Sequence, residues 1–266
     1  MSIPVFMFHG INNGLSPMDG ADAFYSVLEE AYQYFIALSL EKNIPIFSLE
    51  KLLSLSNSHS KAIYQDHDKN TSCCSFTFDD GHATNYSAAC LLQEHGFSAD
   101  FFVNSSTINT KNFLSSSQLK EMVSMGMSIQ SHGHTHEFMN DLDDEALLDQ
   151  LKRSKDLIGD ACGREVTIFA PPGGRYDERL KAIAKSSGYS AISNSEPGYM
   201  NLDKVDLFSI PRVAVTSATS KDLYEQLLYC ESAPIRKDQI KYFVTKQAKK
   251  ILGNQRYEVI WKLLRG

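Results

Sequence analysis

Residues 73–86 read CCSFTFDDGHATNY, a β-rich run that passes into two adjacent carboxylates and then a glycine. Inside a strand Asp79 and Asp80 would point to opposite faces. At the carboxyl end of a strand the chain is turning, so both can reach one site. In parallel α/β architectures that end is where active sites lie. A strand-end pair that merely caps the next helix is the plainer alternative.

Working outward, short β-rich runs alternate with longer helical patterns. The runs are Ile3 to Phe8, Ile44 to Phe47, Cys73 to Phe78, Ala99 to Val103, Met127 to Gln130, Val166 to Ala170, Tyr189 to Ile192 and Ile210 to Val215, about eight strands. Between them, Phe24, Leu28, Ala31, Phe35 and Leu38, and again Leu147, Leu148, Leu151, Ser154, Leu157 and Ile158, carry i, i+3, i+4 spacing. Repeated βα units predict a parallel sheet, open or closed into a barrel. Ser115 to Ser117 can cap a helix that stops at Gly126, and Asp177 can open another that stops at Gly188. Residues 56–72 are polar and aperiodic and read as a surface loop.

A second strand ends in chemistry. The segment SIQSHGHTHEFM, residues 128–139, supplies His132, His134 and His136 within five residues. A helical turn would put His132 and His136, spaced i, i+4, on one face toward one metal, with His134 pointing elsewhere. An HxxxH alone is weak evidence, and chance surface placement explains many. It gains weight from the carboxylate pair two units earlier. Two neutral imidazoles and one carboxylate make a three-ligand site with an open position, suited to Zn2+ or a related divalent ion. A second carboxylate that does not ligate is the natural general base. Four residues thus account for a hydrolase without a protein nucleophile.

Length and composition fit this frame. A chain of 266 residues can form a single α/β barrel with appendages. Its 42% hydrophobic and 22% charged residues are near globular averages, against disorder or a fibrous class. The five cysteines (Cys73, Cys74, Cys90, Cys162 and Cys230) are odd in number and lack CxxC spacing, so free thiols in a reducing compartment are expected. MSIPVFMFHG has no cationic n-region, and its apolar run is too short for a signal or a membrane span, so the expected location is cytoplasmic.

The end of the chain changes character. Residues 234–266 carry nine Lys and Arg against Asp238 and Glu258, or +7, leaving −13 for residues 1–233 from the whole-chain −6. Ile240, Phe243, Ile251, Tyr257, Ile260, Trp261 and Leu264 recur at roughly helical spacing, as in one or two basic amphipathic helices. The expectation is a barrel domain over 1–233 and a helical tail over 234–266. The tail's apolar face would pack on the barrel, with docking at an anionic membrane surface or on a lipid-linked substrate as the alternative. Nucleic acid is disfavoured by the acidic body.

FTFDDG, HxxxH and FAPPGGRYD, in that order, resemble the motifs of the polysaccharide deacetylase family, also called NodB-homology or carbohydrate esterase family 4. The resemblance spans roughly Ile3 to Val215. It implies an irregular (β/α)7 barrel, here with a C-terminal helical extension, that removes acetyl from N-acetylated sugars. It further implies Asp79 as general base, Asp80, His132 and His136 as metal ligands, and a backbone N–H near Gly173 that helps hold the tetrahedral oxyanion. A Pro-Pro-Gly-Gly turn of purely conformational purpose is the alternative for that last motif. The implied ion is Zn2+, with Co2+ or Ni2+ as alternatives.

Two departures stand out. Many members have an arginine where this chain has Ala170, and it orients the catalytic aspartate; Arg175 and Arg212 are candidates to replace it, with a surface position or substrate contact, the latter shared with Tyr176, as equal alternatives for both. Many members also end with a histidine that protonates the leaving amine, yet no histidine follows His136. VFMFHGI ends the first strand at His9, which in a barrel points to the same face as Asp79. This arrangement resembles the circularly permuted poly-N-acetylglucosamine deacetylases, and it makes His9 the expected general acid. No function is assigned to His59, His67, His82 or His95.

The expected substrate is an N-acetylated sugar, oligosaccharide or lipid-linked glycan in surface-polysaccharide synthesis. A cyclic amide or imide hydrolase on the same barrel, and an inactive glycan-binding or scaffolding barrel, are the competing readings. A glycosidase built on Asp79 and Asp80 fails on geometry, because its two carboxylates should flank the sugar about 5 Å or more apart.

Overall fold

The computed structural model describes residues 2–12, 23–56 and 73–253. Its first half runs β1 (Ser2–Ile3), β2 (Val5–Phe8), β3 (Ile11–Asn12), β4 (Val27–Leu28), α1 (Glu29–Glu41), β5 (Ile46–Phe47), α2 (Leu49–Ser56), β6 (Cys74–Phe78), α3 (Thr84–Glu94), β7 (Asp100–Val103), α4 (Ser116–Ser124) and β8 (Ser128–Ser131). The second half runs α5 (Asp144–Cys162), β9 (Ile168–Phe169), α6 (Glu178–Ser186), β10 (Ala191–Pro197), β11 (Met200–Asn201), β12 (Ile210–Ala214), α7 (Lys221–Leu228) and α8 (Ser232–Leu252). Most of the stretch read as a surface loop, residues 57–72 with His59 and His67, lies outside the described residues.

Seven strands pair in parallel in the order β2, β12, β10, β9, β8, β7, β6, and β6 pairs back to β2, so the sheet is a closed (β/α)7 barrel. The run Ile44 to Phe47 does not become an eighth stave. Its short strand β5 pairs with Cys74 and Ser75 on the edge of β6 that β7 takes at Thr77 and Phe78, so β5 lies beside the ring.

The two faces of β6 explain both core and site. Phe76 and Phe78 pack outward against Phe8, at 4.9 and 5.2 Å between ring centroids, and against Tyr32 of α1. Each such buried aromatic contributes roughly 1.5–3 kcal/mol. By the two-residue period of a strand, Ser75, Thr77 and Asp79 then face the barrel interior, where Thr77 Oγ1 donates to Phe6 O at 2.9 Å.

Helix ends follow local chemistry. Ser115 and Gln118 form a capping box at the start of α4, and Asp177 accepts from Leu180 N to open α6. The expected stops, Gly126 and Gly188, both have the positive φ that favours glycine.

The tail corrects the expectation made for it. Helix α8 docks through Ile235, Gln239, Tyr242 and Lys246: Ile235 is buried, Gln239 Nε2 donates to Pro197 O, and Tyr242 and Lys246 reach Glu196 at the end of β10. Ile240, Phe243 and Ile251, expected against the barrel, lie on the opposite side and are exposed. The side that took the barrel is mixed, one apolar residue with three that reach Glu196 and Pro197 through polar groups. Tyr257, Ile260, Trp261 and Leu264 lie outside the described residues.

Candidate active site

Asp79 continues the β6 ladder, its N–H donating to Phe8 O at 2.9 Å, and then the chain turns. Asp80 and Gly81 have φ of 74° and 71°, so consecutive left-handed residues throw the two carboxylates onto one side. Glycine is required second in this pair because a Cβ there would stand 2.9 Å from Val103 Cγ1. A non-glycine residue held at positive φ is uncommon and concentrates at functional sites.

His132 leaves the end of β8 with its N–H still bonded to Val103 O. Its Nδ1 lies 2.8 Å from Ala170 O, a carbonyl that can only accept, so Nδ1 carries the proton and Nε2 turns toward Asp80. His136 also presents Nε2 to Asp80. The two nitrogens lie 3.4 and 3.2 Å from Asp80 Oδ1. The expected helical turn is absent: residues 132–138 are an irregular loop, and left-handed φ at Gly133 (86°) and His136 (61°) folds His136 back beside His132. His134 points away, with Nδ1 2.7 Å from Ser105 Oγ.

One potential ligand atom from each of Asp80, His132 and His136 lies within 4.8 Å of the others. Asp80 Oδ1 is buried and neither imidazole contact makes a hydrogen bond to it. A buried orphan oxygen facing two imidazole nitrogens, one of them aimed by its ring partner's bond to Ala170 O, fits a shared divalent cation.

Gln150 of α5 fixes this loop, and the sequence pattern did not single it out. Its Oε1 accepts from His134 N and Thr135 N at 2.9 and 3.1 Å, and its Nε2 donates to Thr135 Oγ1 and Glu137 Oε2. The available signal was a glutamine inside the apolar stripe Leu147, Leu151, Ser154. Gln150→Leu leaves two backbone N–H groups without an acceptor, so a loss of about 2–3 kcal/mol is expected in urea unfolding, with metal affinity falling at least ten-fold in a competition titration.

Asp79 is held from the opposite side of the barrel. Arg212 of β12 donates from Nη1 and Nη2 to Asp79 Oδ1 and Oδ2 at 2.6 and 2.8 Å, from Nη1 to Thr77 Oγ1, and from Nε to Asn194 O. Of the roles open to Arg212, this is the position of the arginine that orients the aspartate: it is 1% exposed, beneath the carboxylate rather than before it. Burial alone would raise the Asp79 carboxyl, but Arg212, then His132 and His9, outweigh it and hold the pKa below the ordinary value.

The other candidate substrate contacts are partly engaged by the protein itself. Arg175 is 7% exposed, its guanidinium 3.5 Å over the Phe138 ring. The Tyr176 hydroxyl is engaged by Ser209 Oγ and Asn194 Nδ2, each at 2.8 Å. Gly173 has φ of 61° in the turn after β9, where a Cβ would meet Phe138 Cε1 at 2.9 Å. His9 follows β2, its carbonyl held by Asn85 Nδ2 at 2.7 Å and its ring 4.6 Å from that of Tyr25. Burial lowers the pKa of His9, and the nearby Asp80 and Asp79 only partly offset this.

Residues 66–192 match the family described as polysaccharide deacetylase. That match takes in just under half of the chain, which is in this part similar to a polysaccharide deacetylase domain. Among curated proteins it is similar to a putative polysaccharide deacetylase, YxkH, of Bacillus subtilis, 32% identical over 162 residues, 60% of this chain and 58% of that one. A peptidoglycan-N-acetylglucosamine deacetylase of Bacillus cereus is 27% identical over 125 residues, 46% and 56% of the two chains. The chain thus spans little more than half the length of either relative. The fold is similar to that of the Streptococcus pyogenes deacetylase PplD, with a TM-score of 0.74 at 23% identity over 86% of this chain and 98% of that one. It also resembles IcaB from Ammonifex degensii, with a TM-score of 0.67 at 16% identity over 90% and 97%.

Proposed function

We propose that this domain is a metal-dependent hydrolase that removes the N-acetyl group from an amino sugar, acting on a glycan or a nucleotide- or lipid-linked glycan precursor in surface-polysaccharide synthesis. The reading rests chiefly on Asp80 Oδ1 facing the Nε2 atoms of His132 and His136, with Asp79 clamped beside them. Asp80, His132 and His136 would hold a divalent ion, Zn2+ foremost and Co2+ or Ni2+ otherwise, which supplies Lewis acidity toward the amide carbonyl and acidifies water. The names of the curated relatives, polysaccharide and peptidoglycan deacetylases, agree with this substrate class.

Asp79 takes the proton of the attacking water. Arg212 keeps it ionised and fixes its orientation, so it is available as a base across the neutral range. The Gly173 turn brings backbone N–H toward the developing oxyanion. His9, neutral at rest because burial depresses its pKa, takes up the proton that Asp79 removed from the water and passes it to the leaving amine. Acetate and a free amine leave. Ala170, which prompted the inactive-scaffold alternative, supplies the carbonyl that orients His132, while Arg212 meets the need for a cation at Asp79.

The test is acetate release from N-acetylglucosamine oligosaccharides by protein stripped of metal and then reloaded. Asp79→Asn keeps the shape and removes the base, so kcat is expected to fall about 10²–10⁴-fold. Activity without metal, or full activity in Asp79→Asn, would sink the reading.

A further inference from the structure

Helix α8 turns an apolar stripe outward. Ile240, Phe243, Val244 and Ile251 are 61–82% exposed. Their spacing of i, i+3, i+4 and i+11 puts Ile240, Val244 and Ile251 on the side away from Ile235, Gln239, Tyr242 and Lys246, the residues that dock the helix on the end of β10, with Phe243 on the flank. Exposed cations accompany the stripe: Arg236 between Phe243 and Ile240, and Lys237 and Lys241 along the Val244 edge. The helix's single acid, Asp238, lies nearer the barrel side. A large exposed apolar face set among cations in this way marks an interaction surface.

We infer that α8 is an interfacial helix that lays this stripe into an anionic membrane surface. The charge pattern selects the partner: apolar side chains enter the acyl boundary while Arg236, Lys237 and Lys241 meet lipid phosphates. A second copy of the chain is a poorer occupant, because one helical stripe is narrow beside the roughly 800 Å² per partner that a stable interface buries. Among the described residues no helix is long and apolar enough to cross a membrane, so α8 lies in the interface. It rests on Glu196 and Pro197, at the same strand ends that carry Asp79, Asp80 and His132. Docking would therefore hold the mouth of the barrel close to the lipid headgroups.

The experiment is sedimentation of the full-length chain with phosphatidylcholine vesicles, with and without phosphatidylglycerol. Binding is expected only to the anionic vesicles, and it should weaken as salt is raised. Lys237→Ala with Lys241→Ala should lower partitioning about 25-fold, at about five-fold per cation. Phe243→Ser with Ile251→Ser should lower it at least ten-fold. These four side chains are exposed, so an unchanged thermal transition in both variants certifies that folding is intact. Three outcomes overturn the inference: no binding to anionic vesicles, equal binding by the Phe243→Ser and Ile251→Ser variant, or a dimer in sedimentation equilibrium that this variant dissolves. Vesicle binding requires no turnover, so a failure of the deacetylase reading leaves this result standing, and the converse also holds.

Discussion

Arg212→Met is expected to lower kcat about 100-fold while leaving KM nearly unchanged, and to destabilise the fold by about 3–5 kcal/mol. The stability loss follows from burial. Asp79 is 2% exposed, and with Arg212 gone its carboxylate keeps the cost of leaving water and loses the charge that offsets it. The kinetic loss follows from geometry: two parallel N–H donors fix both oxygens of Asp79, and a base free to rotate meets its proton less often. A substrate-binding arginine would behave differently, raising KM with kcat preserved. Arg212→Lys keeps the charge but not the fork, so it should recover most of the stability and only part of the rate. The double variant Arg212→Met with Asp79→Asn removes both charges and should be more stable than Arg212→Met alone. Equilibrium unfolding of the four proteins reads that coupling directly, and an additive cycle would refute the role given to Arg212.

The reason Arg212 escaped the linear motif is physical. Its partner lies 133 residues away, and the two meet because β12 and β6 both flank β2 in a closed ring. A run such as Ile210 to Val215 shows only that a cation interrupts a buried strand. It requires a partner inside the barrel without saying which carboxylate supplies it. The barrel itself was legible, because short β-rich runs alternate with stretches of helical periodicity at βα spacing, and seven of the eight runs became ring strands. The run Ile44 to Phe47 misled because the edge of β6 it would need farther along is taken by β7. His132 and His136 were legible as a pair, but the helical turn invoked for them was not what joins them: a left-handed loop does so, and Gln150 pins it. On α8 periodicity disclosed an apolar face without disclosing that the mixed side, with Gln239, Tyr242 and Lys246, would take the barrel.

The left-handed residues at the site also shape the sharpest test of metal binding. Adding Zn2+ to stripped protein at 100 times its dissociation constant should raise stability by about 2.7 kcal/mol. For a chain of this size that is a rise in thermal midpoint of roughly 5–10 °C. Alanine is a poor probe at Asp80 and His136, because φ of 74° and 61° would strain it and confuse ligand loss with backbone cost. Asparagine tolerates that region better than most residues. Asp80→Asn and His136→Asn should therefore unfold, without metal, close to the parent. Each removes a donor, the anionic oxygen in one and the imidazole in the other. If affinity falls 100-fold, the same Zn2+ concentration stabilises by only RT ln 2, about 0.4 kcal/mol. The midpoint should then rise by no more than about 2 °C. Calorimetry with Zn2+, Co2+ and Ni2+ in parallel would also order the ions. A parent unaffected by all three, or variants that keep the full shift, would mean that Asp80, His132 and His136 converge for a reason other than a metal.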